Sequence, residues 1–130
     1  MTQMNLMEKY PVTLLEVAKY ETKFKNVDEI LEYLKSEIDA HPVATYIAIF
    51  DHYTHTSNLE DCMLSPDILD AKNIICCFGK QLPDPVLMAV RPRSIGVAEM
   101  SDKFVVSFME APNPQAQEAM VLWVKSIVNK

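Results

Sequence analysis

"SIGVAEMSDKFVVSFME", residues 94–110, decides the fold. Two runs rich in β-branched and aromatic residues flank the short polar turn Ser101-Asp102-Lys103, the pattern of a β-hairpin and hence of antiparallel pairing. Within the second run Phe104, Val106 and Phe108 fall on one side, Val105 and Met109 on the other. Both sides are apolar. "NIICCFG" at 73–79 repeats the pattern, with Ile74, Cys76 and Phe78 set against Ile75 and Cys77. An antiparallel face in contact with water should alternate to polar residues, so each face of this sheet calls for a cover.

Working outward, "ATYIAIFD" at 44–51 is apolar on both faces and reads as a central strand. "PVTLLEVAKYETKF" at 11–24 reads as a strand that becomes half-exposed where Lys19, Glu21 and Lys23 alternate with Tyr20, Thr22 and Phe24. Asn26 offers an N-cap and Glu29 stands where a capping-box acid belongs. Val27, Ile30, Leu31, Leu34 and Ile38 follow at helical spacing opposite Asp28, Glu32, Lys35 and Asp39, so the spacing predicts an amphipathic helix ending before Pro42. Near the C-terminus Asn113 caps a second helix with Pro114 at its first position. Ala116, Ala119, Met120, Trp123, Val124 and Ile127 form its apolar stripe.

The predicted order is β-α-β-β-β-β-α: an α+β fold with an antiparallel-rich sheet and helices packed on one face, one domain over residues 1–130. Two helices cover one face, and a second subunit is the simplest cover for the other. Two connections exceed what the topology needs. Residues 54–72 are expected to hold a short helix around 58–64 and another after Ser65-Pro66. The other, "KQLPDPVLMAVRPRS" at 80–94, carries three prolines. Long ordered loops tend to carry function.

Composition narrows the classes. The chain has 130 residues, is 49% hydrophobic and 23% charged, and carries a net charge of −6. That balance, with scattered Lys and Arg, argues against nucleic acid and anionic lipid as partners. No apolar run has signal-peptide or membrane-spanning length, which makes a cytoplasmic protein the expectation. Only two glycines occur, Gly79 and Gly96, so no "GxGxxG" or "GxxxxGK[ST]" phosphate loop can be written. Three cysteines, two of them adjacent, read as reduced, buried thiols.

"FDH" closing one strand, "CFG" closing the next, "PVLM" after it and a hairpin ending in "SFMEAP" resemble, in order and spacing, the bacterial domain-of-unknown-function family 302. Asp51-His52, Phe78-Gly79 and Leu87-Met88 are the matched points, over roughly residue 12 to the C-terminus. Lys80-Gln81 stand where that family has Asn-Pro, as a related but separate family would. The resemblance implies a TBP-like, TT1751-like fold and a dimer, and no established activity.

Candidate site residues follow from residue chemistry. His52 and His55 share a face only if they stand on a helix, so joint metal coordination requires the chain to turn at Tyr53-Thr54. Zinc would need further ligands from Asp51, Asp61 or Cys62, and no established zinc spacing is present. The alternative is a strand-end histidine hydrogen-bonded to its surroundings. Since Asp51 and His52 alternate, one of them must leave an apolar face at the sheet margin, and His52 is expected to face a cleft there. Cys62 follows Asp61, and an acid beside a thiol, with no cation near, disfavours the thiolate a nucleophile needs. Methionines such as Met63, Met88, Met100, Met109 and Met120 either line an adaptable pocket or fill the core. Arg91 and Arg93 suit an anionic ligand beside the Pro-rich loop or remain solvated.

Two functions stand open at this level. One is a homodimeric binding or interaction module holding a small apolar or anionic ligand between the sheet, the last helix and the Pro-rich loop, with His52, Met88, Arg91, Arg93 and Trp123 as contacts. The other is a metal- or haem-dependent enzyme or sensor using His52 with His55 or Cys62. The sequence identifies no cofactor.

Overall fold

The computed structural model describes residues 1–129. Six strands form one antiparallel sheet in the order β1-β2-β6-β5-β4-β3. They are β1 (Thr2–Leu6), β2 (Tyr10–Ala18), β3 (Ala44–Phe50), β4 (Asp70–Phe78), β5 (Arg93–Glu99) and β6 (Lys103–Met109). The helices are α1 (Val27–Ala40), α2 (His52–Ser57) and α3 (Pro114–Lys125). The α+β class and the expected order are present, with β1 added before them.

Each helix begins where the side chains dictate. Asn26 accepts the Glu29 N–H at 2.9 Å, while the Glu29 carboxylate reaches back to the Lys25 N–H at 2.8 Å. Asn113 accepts the N–H groups of Gln115 and Ala116, with Pro114 supplying the fixed φ of the first turn. Val27, Ile30, Leu31, Leu34 and Ile38 of α1 and Ala116, Met120, Trp123 and Val124 of α3 are buried. They pack on Ile74, Cys76, Ile95, Val97, Phe104, Val106 and Phe108, which share one face of the sheet. Full burial of such a side chain contributes about 1.5–3 kcal/mol.

Four expectations are corrected. The first strand ends at Ala18, because Glu21 turns back to accept the Ala18 N–H at 2.9 Å and Lys19–Glu21 form a 3-10 turn. "ATYIAIF" is an edge strand, paired only to β4, with Ile47, Ile49 and Phe50 exposed. An irregularity between Tyr46 and Ala48 interrupts its pairing, so Ile49 sits opposite core Ile74 while Ile47 borders Cys77 on the other face. The helix in the long connection is not at 58–64. It starts at His52, directly after β3, because the Asp51 carboxylate caps the Thr54 N–H at 3.0 Å. No helix follows Ser65-Pro66 either.

Among the described residues neither α1 nor α3 packs on the second face of the sheet, and α2 meets only its β3 margin, at Phe50. Met4 and Val12 lie opposite each other there, as do Leu14 and Ser107, Gly96 and Asn73, Ile75 and Ser94, and Ala98 and Val105. From β1 to β4 the apolar second face read from the sequence is therefore uncovered among the described residues. Among the described residues no helix is long and apolar enough to cross a membrane.

Candidate functional site

The Pro-rich connection folds back over the end of β4. Asp84 caps a 3-10 turn, Pro85–Ala89, by accepting the Val86 N–H at 2.9 Å. Leu87 and the following Val90 thereby face the sheet. Opposite them the chain leaves β6 through Ala111 and Pro112 into the cap of α3. Between the two segments lies a cavity of about 240 Å³, walled by Phe78, Leu87, Val90, Ala111, Pro112 and Ala116 and bordered by Arg91, Arg93 and Asn113. It lies between the sheet, the last helix and the Pro-rich loop.

The two arginines are fixed from below by backbone carbonyls. Arg93 donates to Val90 O at 3.3 Å, to Glu110 O at 3.2 Å and to Met109 O, while its buried Nε has no partner. Arg91 donates to Gln81 O at 2.6 Å, and its guanidinium lies against Gly79. Among the described residues neither guanidinium makes an ion pair with a carboxylate. Burial pulls the Arg93 pKa below its usual value, with the Cys76 thiol pulling the other way, and the group remains a cation at neutral pH. In a chain of net charge −6, two cations without acids at one apolar cavity leave positive potential there.

The other residues singled out from sequence do not all converge here. Met88, exposed, lies with Ile47, Cys77, Lys80 and Leu82 around a shallower hollow of about 490 Å³ on the far side of Arg91. Trp123 is buried behind the cavity rather than in it. Its ring stacks on Phe78 at 5.6 Å, His41 meets both rings edge-on, and its carbonyl accepts the Tyr33 hydroxyl at 3.2 Å. It stiffens the wall that Phe78 presents.

His52 opens α2, exposed at the sheet's margin, and the helix places His55 on its own side. The His52 and His55 rings each lie 5.2 Å from the ring of Phe50, centroid to centroid. Cys62 is exposed in the connection that follows. No group of three or more His, Cys, Asp or Glu gathers at metal-binding distance among the described residues. Asp51, engaged by Thr54, has its pKa lowered, first by that backbone N–H. Cys76 is buried in the core, where desolvation pushes its thiol up to about 11, outside the range of a working nucleophile.

Sequence reasoning missed Phe78, Ala111 and Asn113 as parts of one concavity. Their signals were present, a strand-closing aromatic and a Pro-flanked cap, but only the return of the Pro-rich loop onto α3 joins them.

No curated protein and no solved structure matches the chain. The family match is to a different family from number 302, so the TT1751-like assignment gains no support from it. By a match over residues 1–129, the chain belongs to the family of unknown function DUF6858.

Proposed function

We propose that this chain is a non-catalytic, homodimeric binding module for a small ligand with an apolar body and an anionic head. The observation that carries this reading is the cavity of about 240 Å³ bordered by Arg91 and Arg93, neither of which has a carboxylate partner among the described residues. At about 30 Å³ per water-sized group, it admits a ligand of roughly eight non-hydrogen atoms, the size of a six-carbon carboxylate. The apolar walls take the body, and a guanidinium offers paired N–H donors to a carboxylate head. Three free thiols fit a reducing, cytoplasmic setting. The dimer covers the second sheet face. Titration calorimetry with hexanoate, butyrate and inorganic phosphate tests the ligand reading. Hexanoate should bind best, and Arg91→Ala should weaken it about tenfold or more. No heat with any of the three at millimolar concentration would sink it.

One observation favours the metal-dependent alternative: α2 puts His52 and His55 three residues apart on a helix, the spacing that lets two imidazoles share an ion. Elemental analysis of the purified protein decides it, since a stoichiometric metal lost in His52→Ala would replace the first reading.

A further inference from the structure

We infer that the uncovered sheet face is the surface through which two copies of this chain pair, with the β1–β2 hairpin of each seated in a trough on the other. The inference rests on the dimeric part of the proposed function and adds the interface and its fit. Its first support is relief. Where β4, β5 and β6 bring Asn73, Ser94, Gly96 and Ser107 together the face has a floor of small residues, with Ile75, Val105 and Met109 around it, and along β1 and β2 it rises into Met4, Leu6, Tyr10, Val12 and Leu14. Together these bound a groove of about 640 Å³. Two flat faces laid together would leave the small floors facing a void, and interiors close such voids at a cost in stability. A ridge and a hollow on one face solve this when a two-fold axis puts each ridge in the other's hollow, the self-complementarity of an isologous interface.

Charge agrees. Among the described residues the charged side chains on β1, β2, β4, β5 and β6 of this face are Glu16 and Lys103, paired to each other at 3.2 Å, while Lys80 and Arg91 border only its Ile47–Cys77 corner. A chain of net charge −6 can therefore meet its copy here without like charges opposing. Within the polar floor Asn73 Nδ2 donates to Ser94 Oγ at 3.0 Å. Area agrees too. Six strands at about 4.8 Å spacing and roughly seven residues of about 3.4 Å give a footprint of about 570 Å² per copy. The pair buries on the order of 1,100 Å², above the roughly 1,000 Å² expected of a specific interface. Leu6, Met4 and Tyr10 on the ridge are 49%, 43% and 45% exposed in the single chain, so burial on pairing has apolar area to remove.

The competing geometry is edge pairing through β3, whose exposed Ile49 carries no charge to block it. Sedimentation equilibrium of the full chain separates the two. Wild type should be dimeric at micromolar concentration, and Met4→Asp/Leu6→Asp should weaken the dimer by on the order of 100-fold or more, because two carboxylates would be buried unpaired. Ser107→Arg, which blocks the trough from inside the sheet, should do the same with the hairpin intact. Circular dichroism confirms that each variant is folded, and Ile49→Lys should leave the dimer unchanged. A monomeric wild type overturns this inference together with the dimeric reading. A dimer that survives both face variants, or that dissociates in Ile49→Lys, overturns the interface alone.

Discussion

The guanidinium of Arg91 lies where the side chain of residue 79 would be: a Cβ built on Gly79 stands 2.8 Å from Arg91 Nη2. Gly79 also has φ +101°, a conformation L side chains rarely adopt, and its N–H donates to Val43 O at 3.0 Å. The glycine thus lets the chain turn out of β4 and lets Arg91 pass close enough to hold Gln81 O. Gly79→Ala should lose about 1–3 kcal/mol from backbone strain, read as a lower urea midpoint. It should also displace Arg91, so hexanoate binding should fall with it. An unchanged midpoint would show that the turn has room to give.

Cys76 supplies a pH dependence with a definite sign. Burial raises its pKa from 9.0 to about 11, with the neighbouring Cys77 adding to the effect and Arg93 opposing it. The unfolded chain therefore releases this proton first. Stability from the buried neutral thiol is fully present below about pH 9 and is lost as pH rises through about 11, a change of about 2–3 kcal/mol if the other groups do not move. Urea midpoints at pH 8, 9, 10 and 11 measure the slope. In Cys76→Ala the overall midpoint should be lower, and that part of the slope should vanish. A slope identical to wild type would assign the alkaline loss to other groups.

Periodicity made the core legible and hid the edges. α1, α3 and the β5–β6 hairpin follow from spacing and caps because a single apolar stripe packs on a single sheet face. The sequence of β3 reads as central because apolar residues on both faces signal burial on both. Here one of those faces is the uncovered one, which carries the same composition. β1 left no trace: its turn places Met7 at φ 54° and Glu8 at φ 64° without a glycine or asparagine, so no turn signal marks a hairpin. Arg91 and Arg93 were visible as cations, but their partners are backbone carbonyls, and carbonyl positions depend on the fold rather than on residue type. The cavity they border needs three segments distant in sequence, which no local pattern encodes.

The histidine at the end of β3 bears on both functional readings. From alternation alone His52 belonged either to the helix-covered side, where its loss would cost stability, or to a cleft, where it would not. Asp51 instead caps α2 and lifts His52 out of the strand, so its ring is exposed and touches Phe50 at 5.2 Å. No hydrogen bond to the imidazole is left behind on truncation, and alanine is the stronger helix former. His52→Ala should therefore change stability by no more than about 0.5 kcal/mol, and Arg91-dependent hexanoate binding should be unaffected because the cavity residues do not include it. Thermal melting with calorimetry on the same samples checks both. A midpoint falling by several degrees would mean that the His52–Phe50 contact holds α2 to the sheet, and lost hexanoate binding would move the ligand from the Arg91 cavity to the sheet margin.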